Sequence, residues 1–230
     1  MGLVEFRNVF FSYNQRDYVF ENVTFELPDK GITAVISDPG KGKSTLLKLI
    51  KGILKPSKGV VVVMNIDTSR ASKSKLMSLH TKVSIHFQDT FLISNIDVFS
   101  NIALPLLYNT NLTTSEVEKE VDRVLDLFDL RHLKYELPHN LSPTEAKFIS
   151  ISRAFLMNPR LILLDEPFSQ LDSSSKLRLI EIIEEYKNFS KILFTTSDDN
   201  LVALSDSIVY ILTIMDSKDV TFVSRGGQIL

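Results

Sequence analysis

Residues 37–45 combine glycine, lysine and hydroxyl side chains at a spacing that suits the binding of phosphate groups. They are Ser37, Asp38, Pro39, Gly40, Lys41, Gly42, Lys43, Ser44 and Thr45. The segment matches the phosphate-loop pattern G-x-x-x-x-G-K-[ST] except at its first position, where Ser37 replaces glycine and adds a Cβ atom. In this pattern Gly42 lets the backbone approach the phosphates, Lys43 reaches the β and γ phosphates, and Ser44 ligates Mg²⁺. The segment therefore predicts a site for ATP and Mg²⁺.

The sequence on either side of this segment favours the same interpretation. The apolar run Gly31–Ile36 predicts a strand that leads into it, and residues Ser44–Ile53 predict a helix that leaves it. Backbone N–H groups at the start of such a helix bind anions. The alternative is a chance Gly-Lys-Ser-Thr sequence in an ordinary turn. Such a turn would not require a strand before it and a helix after it.

Two adjacent carboxylates follow a second apolar run. Leu161–Leu164 predicts a buried strand, and Asp165 and Glu166 stand at its carboxyl end, the edge at which open α/β sheets bind ligands. Asp165 would complete the ligand shell of Mg²⁺, and Glu166 would orient or deprotonate the attacking water in a hydrolysis reaction. The alternative is an acidic N-cap that follows a strand. Because the acidic pair occurs together with the phosphate loop, the catalytic interpretation is favoured.

The elements that must position these residues predict an α/β fold. The first 36 residues are rich in strands and turns, with alternation at Val4–Val9 and a second run at Val19–Leu27. Towards the end, Lys191–Phe194 predicts another buried strand, separated from the acidic pair by a helix over about 174–187. The runs 208–214 and 220–223 predict a terminal hairpin.

Residues 94–128 are helical in character and lie between the two halves of the candidate site. Thr113–Glu116 forms a capping-box pattern ahead of apolar residues that share one helix face. We therefore expect one domain over 1–230. A core with a mostly parallel sheet and an N-terminal antiparallel β subdomain would occupy about 1–90 and 160–230, and an inserted helical subdomain about 91–159.

Composition excludes several classes of function. Of 230 residues, 44% are hydrophobic, and 26 basic residues face 28 acidic ones, with no stripe of basic and aromatic residues of the kind that binds nucleic acid. The absence of cysteine excludes a disulfide scaffold and a thiolate metal site. The N-terminus lacks a signal-peptide pattern, and apolar runs fall short of the about 20 residues that cross a bilayer. A role at a membrane would need another chain.

At this point the chain, from about residue 3 to 215, resembles the ABC transporter ATPase family. Further motifs follow in the family's order: Tyr13 matches the aromatic residue that stacks on adenine, and Gln88 the glutamine that couples Mg²⁺ and water to the membrane subunit. Ser169–Asp172 matches the loop that contacts the opposite subunit, which places Asp172 there, and Leu141–Ser142 begins the family's signature.

The resemblance implies partners. These are a second ATP-binding subunit, identical or different, and integral membrane permease subunits that hold the chain at the inner face of the cell membrane. Residues 98–113 resemble the ATPases of phospholipid-trafficking MCE systems, and lipoprotein-release and cell-division members share part of that pattern.

The signature departs from the family pattern, because Pro143, Thr144 and Glu145 replace Gly-Gly-Gln. In the family this segment opens a helix that grips the γ-phosphate held by the other subunit. Here residues 142–145 form a capping box with proline at the first helical position, so that Glu145 would cap its own helix and place negative charge there. A well-capped helix and a working phosphate clamp both stay open as interpretations of Ser142.

Ser197 occupies the position at which the family usually has a histidine near the γ-phosphate. A serine supplies a hydrogen bond but no imidazolium charge, which weakens stabilisation of the transition state. We therefore expect an energising subunit of a transporter that binds ATP and hydrolyses it slowly. Hydrolysis is retained in this interpretation because Asp165 and Glu166 are both present. The alternative is a nucleotide-gated regulatory module with little turnover. A soluble ABC protein of translation or DNA repair is less favoured, since a second ATP domain, coiled coil or basic surface is not visible.

Overall fold

Two β-sheets organise the chain around the phosphate loop. The computed structural model describes the backbone of residues 2–214 and 217–224, and the side chains of residues 2–209. The first sheet is antiparallel and has the order β2-β1-β4-β5. Its strands are β1 (Val4–Ser12), β2 (Tyr18–Leu27), β4 (Lys58–Val63) and β5 (Ile66–Asp67). This sheet confirms the predicted N-terminal antiparallel subdomain, and β4 and β5 extend it with a segment that follows the phosphate loop.

The second sheet has six strands in the order β10-β9-β3-β8-β7-β6. They are β3 (Ile32–Ile36), β6 (Val83–His86), β7 (Leu161–Leu164), β8 (Lys191–Thr196), β9 (Ser207–Ile214) and β10 (Ser217–Ser224). Five of these strands run parallel, and β9 and β10 form the predicted terminal hairpin. The mostly parallel sheet is thereby confirmed. Since parallel strands end at one edge, the residues after β3, β6, β7 and β8 meet there.

The helix after the phosphate loop is shorter than predicted. Helix α1 spans Lys43–Lys51, because Gly52 adopts a left-handed conformation with φ 74° and donates its N–H to Leu49. The expected end at Ile53 was therefore wrong by two residues. Such a glycine is a common helix terminator, since it lacks the Cβ atom that penalises this conformation. Helix α2 (Lys73–His80) was not predicted.

The helical segment contains three α-helices, namely α3 (Val98–Asn109), α4 (Thr114–Leu127) and α5 (Pro143–Ser152), and two short 3-10 helices between α4 and α5. The capping box predicted for α4 is present, with Thr113 and Glu116 exchanging hydrogen bonds. The predicted start of helical structure at residue 94 was wrong, because the Asp97 side chain accepts the Ser100 N–H and caps α3 at Val98. Helix α6 spans Ser173–Tyr186, one residue before the predicted bounds at each end.

The six-stranded sheet is covered on both faces by buried apolar residues. On one face, side chains of β3, β7 and β8 pack with α3, α4, α5 and α6 in one cluster. On the other face, a second cluster joins the sheet to α1 and to the antiparallel sheet. Within the described part of the chain, no helix has the length and apolarity that a membrane span requires. The two clusters fix the sheet edge at which the candidate site lies.

Asn101 connects the segment before α3 to the helix itself. It is fully buried, and its Oδ1 accepts the Ile93 N–H at 2.8 Å. Its Nδ2 lies within 3.1 Å of the carbonyl oxygens of Ile93, Ile96 and Asp97. One buried amide therefore satisfies backbone groups that would otherwise have no partner in this turn.

We predict that Asn101→Leu lowers the free energy of unfolding by about 2 kcal/mol, because it leaves buried backbone groups unsatisfied. Urea unfolding followed by circular dichroism measures the change. The matched control is Asn109→Leu, since exposed Asn109 on the same helix donates to Pro105 at 2.7 Å and should lose less than about 0.5 kcal/mol. Equal losses in the two variants would contradict this account.

Candidate nucleotide-binding site

The phosphate loop joins the end of β3 to the start of α1. Gly42 is the N-cap of α1 in a left-handed conformation with φ 102°, and it has no side chain to occupy the helix N–H groups. The first turn of α1 holds no acidic residue. Free N–H groups together with the positive end of the helix dipole form an anion-binding site.

Two glycines of the loop differ in how strictly they are required. A Cβ atom at Gly42 would lie 2.7 Å from Val19 Cγ1 and 3.1 Å from Phe20 Cζ, whereas a Cβ atom at Gly40 would meet nothing within 4 Å. Ser37, which replaces the first glycine of the pattern, is buried and donates its hydroxyl to the Asp38 carbonyl at 3.1 Å. The loop accommodates the serine side chain through this bond.

Lys43 is buried beneath the loop, and its ammonium is fully engaged. The Nζ atom donates to the Ser37 carbonyl at 2.6 Å and to Ser197 Oγ at 2.7 Å, and it lies 3.1 Å from Glu166 Oε1. Asp38 provides a longer contact at 3.4 Å. These partners are oxygen atoms, so phosphate oxygens can replace them without leaving a buried charge unpaired.

Asp165 and Glu166 lie at the end of β7, as predicted, and Thr195 on β8 connects them. Thr195 Oγ1 donates to Asp165 Oδ1 at 2.7 Å and accepts the Glu166 N–H at 2.8 Å. No sequence motif predicted this role for Thr195. The available signal was a hydroxyl residue at the end of a strand that runs parallel to β7, in register one step beyond the pair Leu164 and Phe194.

Ser197, predicted from the histidine position, contacts both catalytic candidates. Its hydroxyl donates to Glu166 Oε1 at 3.0 Å and accepts from Lys43 Nζ. Lys43, Glu166 and Ser197 therefore form a closed triangle of hydrogen bonds at the sheet edge. The serine adds no charge to this triangle, in agreement with the expectation from its side chain.

The three predicted Mg²⁺ ligands line one small cavity. Ser44, Gln88 and Asp165 border a volume of about 360 Å³ together with Lys48, Phe87, Asp89 and Phe91. A hydroxyl, an amide and a carboxylate are the oxygen ligands that Mg²⁺ prefers, usually together with water and substrate phosphates. Among the described residues, no cluster of three His, Cys, Asp or Glu residues that could hold a metal occurs.

Tyr13 and Thr45 contact each other at the edge of the loop. The Tyr13 hydroxyl lies 2.9 Å from Thr45 Oγ1, and the ring packs edge-on against Phe11 with 61% of the residue exposed. The exposed Tyr13 ring, whose hydroxyl is hydrogen-bonded to Thr45 of the phosphate loop, is accessible for stacking on a nucleotide base. Stacking of Tyr13 on adenine stays a prediction.

The altered signature forms the predicted capping box. Glu145 Oε2 accepts from both the N–H and the hydroxyl of Ser142 at 2.7 Å, and the Glu145 N–H donates to Ser142 Oγ. The Ser142 hydroxyl and then its N–H lower the pKa of Glu145, so the carboxylate keeps its charge at the start of α5. A role of Ser142 in holding a phosphate stays a prediction.

Asp172 also caps a helix. Its carboxylate accepts from the hydroxyls of Ser174 and Ser175 and from the Ser175 N–H at the start of α6. The Ser174 hydroxyl, followed by the two groups of Ser175, lowers the pKa of Asp172 to about 2. The fold thus uses Asp172 locally, and the predicted contact of its loop with a second subunit stays a prediction.

The α/β fold and the phosphate loop together define a P-loop nucleotide-binding protein. The sequence comparison assigns it further, because the ABC transporter family model matches residues 20–169. The chain belongs to the ABC transporter family, as an ATP-binding subunit. ATPase cassettes of this family work as dimers with membrane permease partners.

Relatives in the family serve different systems. The chain is 30% identical, over 94% of its length and 82% of the relative's, to the intermembrane phospholipid transport system ATP-binding protein MlaF of Haemophilus influenzae. It is 31% identical to the cell division ATP-binding protein FtsE of the same organism, over 87% and 92% of the two chains. For the methionine import ATP-binding protein MetN of Histophilus somni the identity is 33%, but the match covers only 56% of MetN.

A solved structure shares the whole architecture. It is a dimeric ATP-binding cassette in a post-hydrolysis state with ADP and Pi bound, and it matches with a TM-score of 0.87 and 25% identity. The match covers 97% of this chain and 100% of that one. The resemblance to the ABC ATPases and their α/β fold is confirmed.

The two loop glycines allow a matched test of the phosphate site. We predict that Gly42→Ala lowers both ATP affinity and the free energy of unfolding, because the new Cβ atom must displace Val19. Gly40→Ala introduces only left-handed strain, about 1–2 kcal/mol, and should cause the smaller loss of both quantities. Fluorescent-nucleotide titration and urea unfolding measure the pair. A larger effect at Gly40 would contradict the geometry described for the loop.

Proposed function

We propose that this chain is the ATP-hydrolysing subunit of a membrane transporter and that hydrolysis is slow. The observation that carries the proposal is the distance of 3.1 Å between Lys43 Nζ and Glu166 Oε1, which places a carboxylate beside the phosphate loop. Membrane permease subunits would hold the chain at the cytoplasmic face, and a second ATP-binding subunit, identical or different, would complete the pair. The MlaF relative supports phospholipid as the transported class.

ATP binding begins with the exchange of partners at Lys43. The β and γ phosphates would take the positions of the Ser37 carbonyl and the Glu166 carboxylate around the ammonium, while the N–H groups of α1 bind the same phosphates. Ser44, Gln88 and Asp165 would hold Mg²⁺, which neutralises phosphate charge when bound. Released from Lys43, the Glu166 carboxylate can turn to a water molecule.

Hydrolysis then needs a general base. The Glu166 carboxylate would accept a proton from that water while the water oxygen bonds to the γ-phosphorus. The bond between the γ-phosphorus and the oxygen that bridges to the β-phosphate breaks, giving ADP and phosphate. The Thr195 hydroxyl fixes the Glu166 N–H while its own proton is donated to Asp165. The Thr195 side chain thereby fixes the proposed base, Glu166, relative to the proposed metal ligand, Asp165.

Two departures from the family pattern slow this cycle, and each acts at a different nucleotide site of the subunit pair. Ser197 acts on the ATP that this chain binds, since it offers a neutral hydroxyl where developing negative charge needs stabilisation. Pro143 and Glu145 act on the ATP of the opposite subunit, because they remove an N–H group and add negative charge at the start of α5. In a homodimer both sites carry both changes, whereas in a heterodimer the partner supplies its own signature to this chain's ATP.

The second candidate function is a nucleotide-gated regulatory module that closes on ATP and hardly turns over. The observation that favours it is the capping box, in which the Ser142 hydroxyl is already donated to Glu145. In such a module ATP binding would change the contacts with partner subunits, and release of ATP would reverse the change.

Substitution of the base separates the two functions. We predict that Glu166→Gln reduces steady-state phosphate release at least about 100-fold, because the amide cannot accept the proton of the water. ATP binding should persist, and size-exclusion chromatography should show an ATP-stabilised dimer. The control is Glu185→Gln, an exposed carboxylate on α6, which should release phosphate at the wild-type rate. ATP binding with negligible wild-type turnover that Glu166→Gln does not change would favour the regulatory module.

Restoration of the histidine tests the cause of slow hydrolysis. We predict that Ser197→His raises kcat by at least about tenfold, since a charged donor near the γ-phosphate stabilises the transition state. Ser197→Ala is the matched control, because it removes the contacts to Lys43 and Glu166 without adding a charge, and it should not raise kcat. Phosphate release at saturating MgATP measures both. If His and Ala variants turn over equally, Ser197 does not limit the reaction.

A further inference from the structure

Lys147 is a buried charged residue in α5 that no motif of the site includes. Only 4% of the residue is exposed, and its neighbours in the chain, Phe148 and Ile149, belong to the apolar cluster beneath the sheet. Burial of an ammonium group costs free energy unless hydrogen-bond acceptors and opposite charges surround it. The lysine therefore calls for partners, and the structure places them at the candidate catalytic carboxylate.

The Lys147 ammonium bonds to the backbone of Glu166. Its Nζ atom donates to the Glu166 carbonyl oxygen at 3.1 Å and to Ser169 Oγ at 2.8 Å. Ser169 Oγ in turn donates to the same carbonyl at 2.8 Å. One ammonium thus connects three elements: helix α5, the candidate base, and the loop 169–172.

Glu166 needs this support because of its backbone conformation. Its φ is 45°, in the left-handed region that residues with a Cβ atom adopt at a cost. The Thr195 hydroxyl holds its N–H side, while Lys147 and Ser169 hold its carbonyl side. Both peptide groups that flank the Glu166 Cα atom are therefore fixed, and with them the direction of its side chain towards Lys43.

The charges around Lys147 are consistent with a retained ammonium. Burial lowers its pKa, and the carboxylates of Glu166, Asp165 and Asp89 oppose that shift. Lys147 contacts the Glu166 backbone, while Lys43 contacts the Glu166 carboxylate at the phosphate loop. The backbone of Glu166 is held by one cation and its carboxylate by the other.

We propose that Lys147 is a positioning residue for hydrolysis, which holds Glu166 in its left-handed conformation and transmits the position of α5 to it. The inference rests on the proposed function of Glu166 as the base. Because α5 begins at the altered signature, Lys147 also links the segment that faces the opposite subunit's nucleotide to the carboxylate that acts on this chain's own nucleotide.

We predict that Lys147→Met lowers kcat by about 100-fold with KM changed by less than about threefold, since a misplaced base affects the chemical step and not ground-state binding. The control is Lys191→Met. Lys191 is also buried and donates to the Lys30 carbonyl at 3.0 Å, at the opposite end of β8 from the site. It should keep wild-type kcat. If Lys147→Met does not fold, Lys147→Gln, which loses the charge and keeps a donor on a shorter side chain, should lower kcat by a smaller factor, again with little change in KM.

Hydrogen exchange gives a readout that does not depend on turnover. In Lys147→Met, the amides of residues 165–172 should exchange faster than in the wild type, whereas Lys191→Met should leave that segment protected. Unchanged protection and unchanged kcat in the Lys147 variants would overturn the proposal. Failure of the proposed function has a different signature, namely wild-type turnover that is insensitive to Glu166→Gln, and the exchange comparison still decides the role of Lys147 in that case.

Discussion

The ion pair between Lys43 and Glu166 joins the two halves of the site, and the rest of the structure is arranged to make it possible. Lys43 begins the helix that follows β3, and Glu166 follows β7, separated from it by more than a hundred residues. The two strands both pair with β8, which brings their carboxyl ends to one edge of the sheet. An ammonium that is buried at this edge must have oxygen partners, and Ser37, Ser197 and Glu166 supply them in the absence of phosphate oxygens.

The chain offers unequal surfaces to its own nucleotide and to that of a second subunit. On its own side, Lys43, the N–H groups of α1 and the oxygen atoms around Ser44 make up the proposed phosphate and metal site. On the other side, the start of α5 presents Glu145, a carboxylate, where the family uses backbone N–H groups and a free serine hydroxyl. In this chain the start of α5 is well capped by Ser142 and Glu145, so the difference lies in the negative charge placed there.

How much the sequence predicts depends on whether a residue's partners are local. The phosphate loop, the acidic pair after β7 and both capping boxes follow from patterns of a few residues, and the structure contains them all. Thr195 and Lys147 escaped prediction because their partners lie 29 and 19 positions away and belong to other elements. The helix ends at Gly52 and Asp97 were misplaced for a different reason: both caps bond to residues three positions away, but one depends on a left-handed glycine and the other on a side-chain rotamer. The roles of Tyr13, Gln88 and Asp172 need a nucleotide or a second subunit and stay predictions.

The capping box decides which of the two functions the fold favours at the opposite subunit's nucleotide. For Ser142 to hold a γ-phosphate, its hydroxyl must leave Glu145, and that carboxylate must then move from the helix N-terminus that stabilises it or face the phosphate directly. Pro143 offers no N–H group in compensation. In the proposed cycle the clamp therefore starts from a capped helix end that is stable without a phosphate, which would weaken closure of the pair and lengthen each cycle. Glu166, with its backbone fixed on both sides by Thr195 and Lys147, is by contrast ready to act once closure occurs. These two features together support the proposed slow hydrolase, in which the base keeps its chemistry and the closed state that uses it would be less stable.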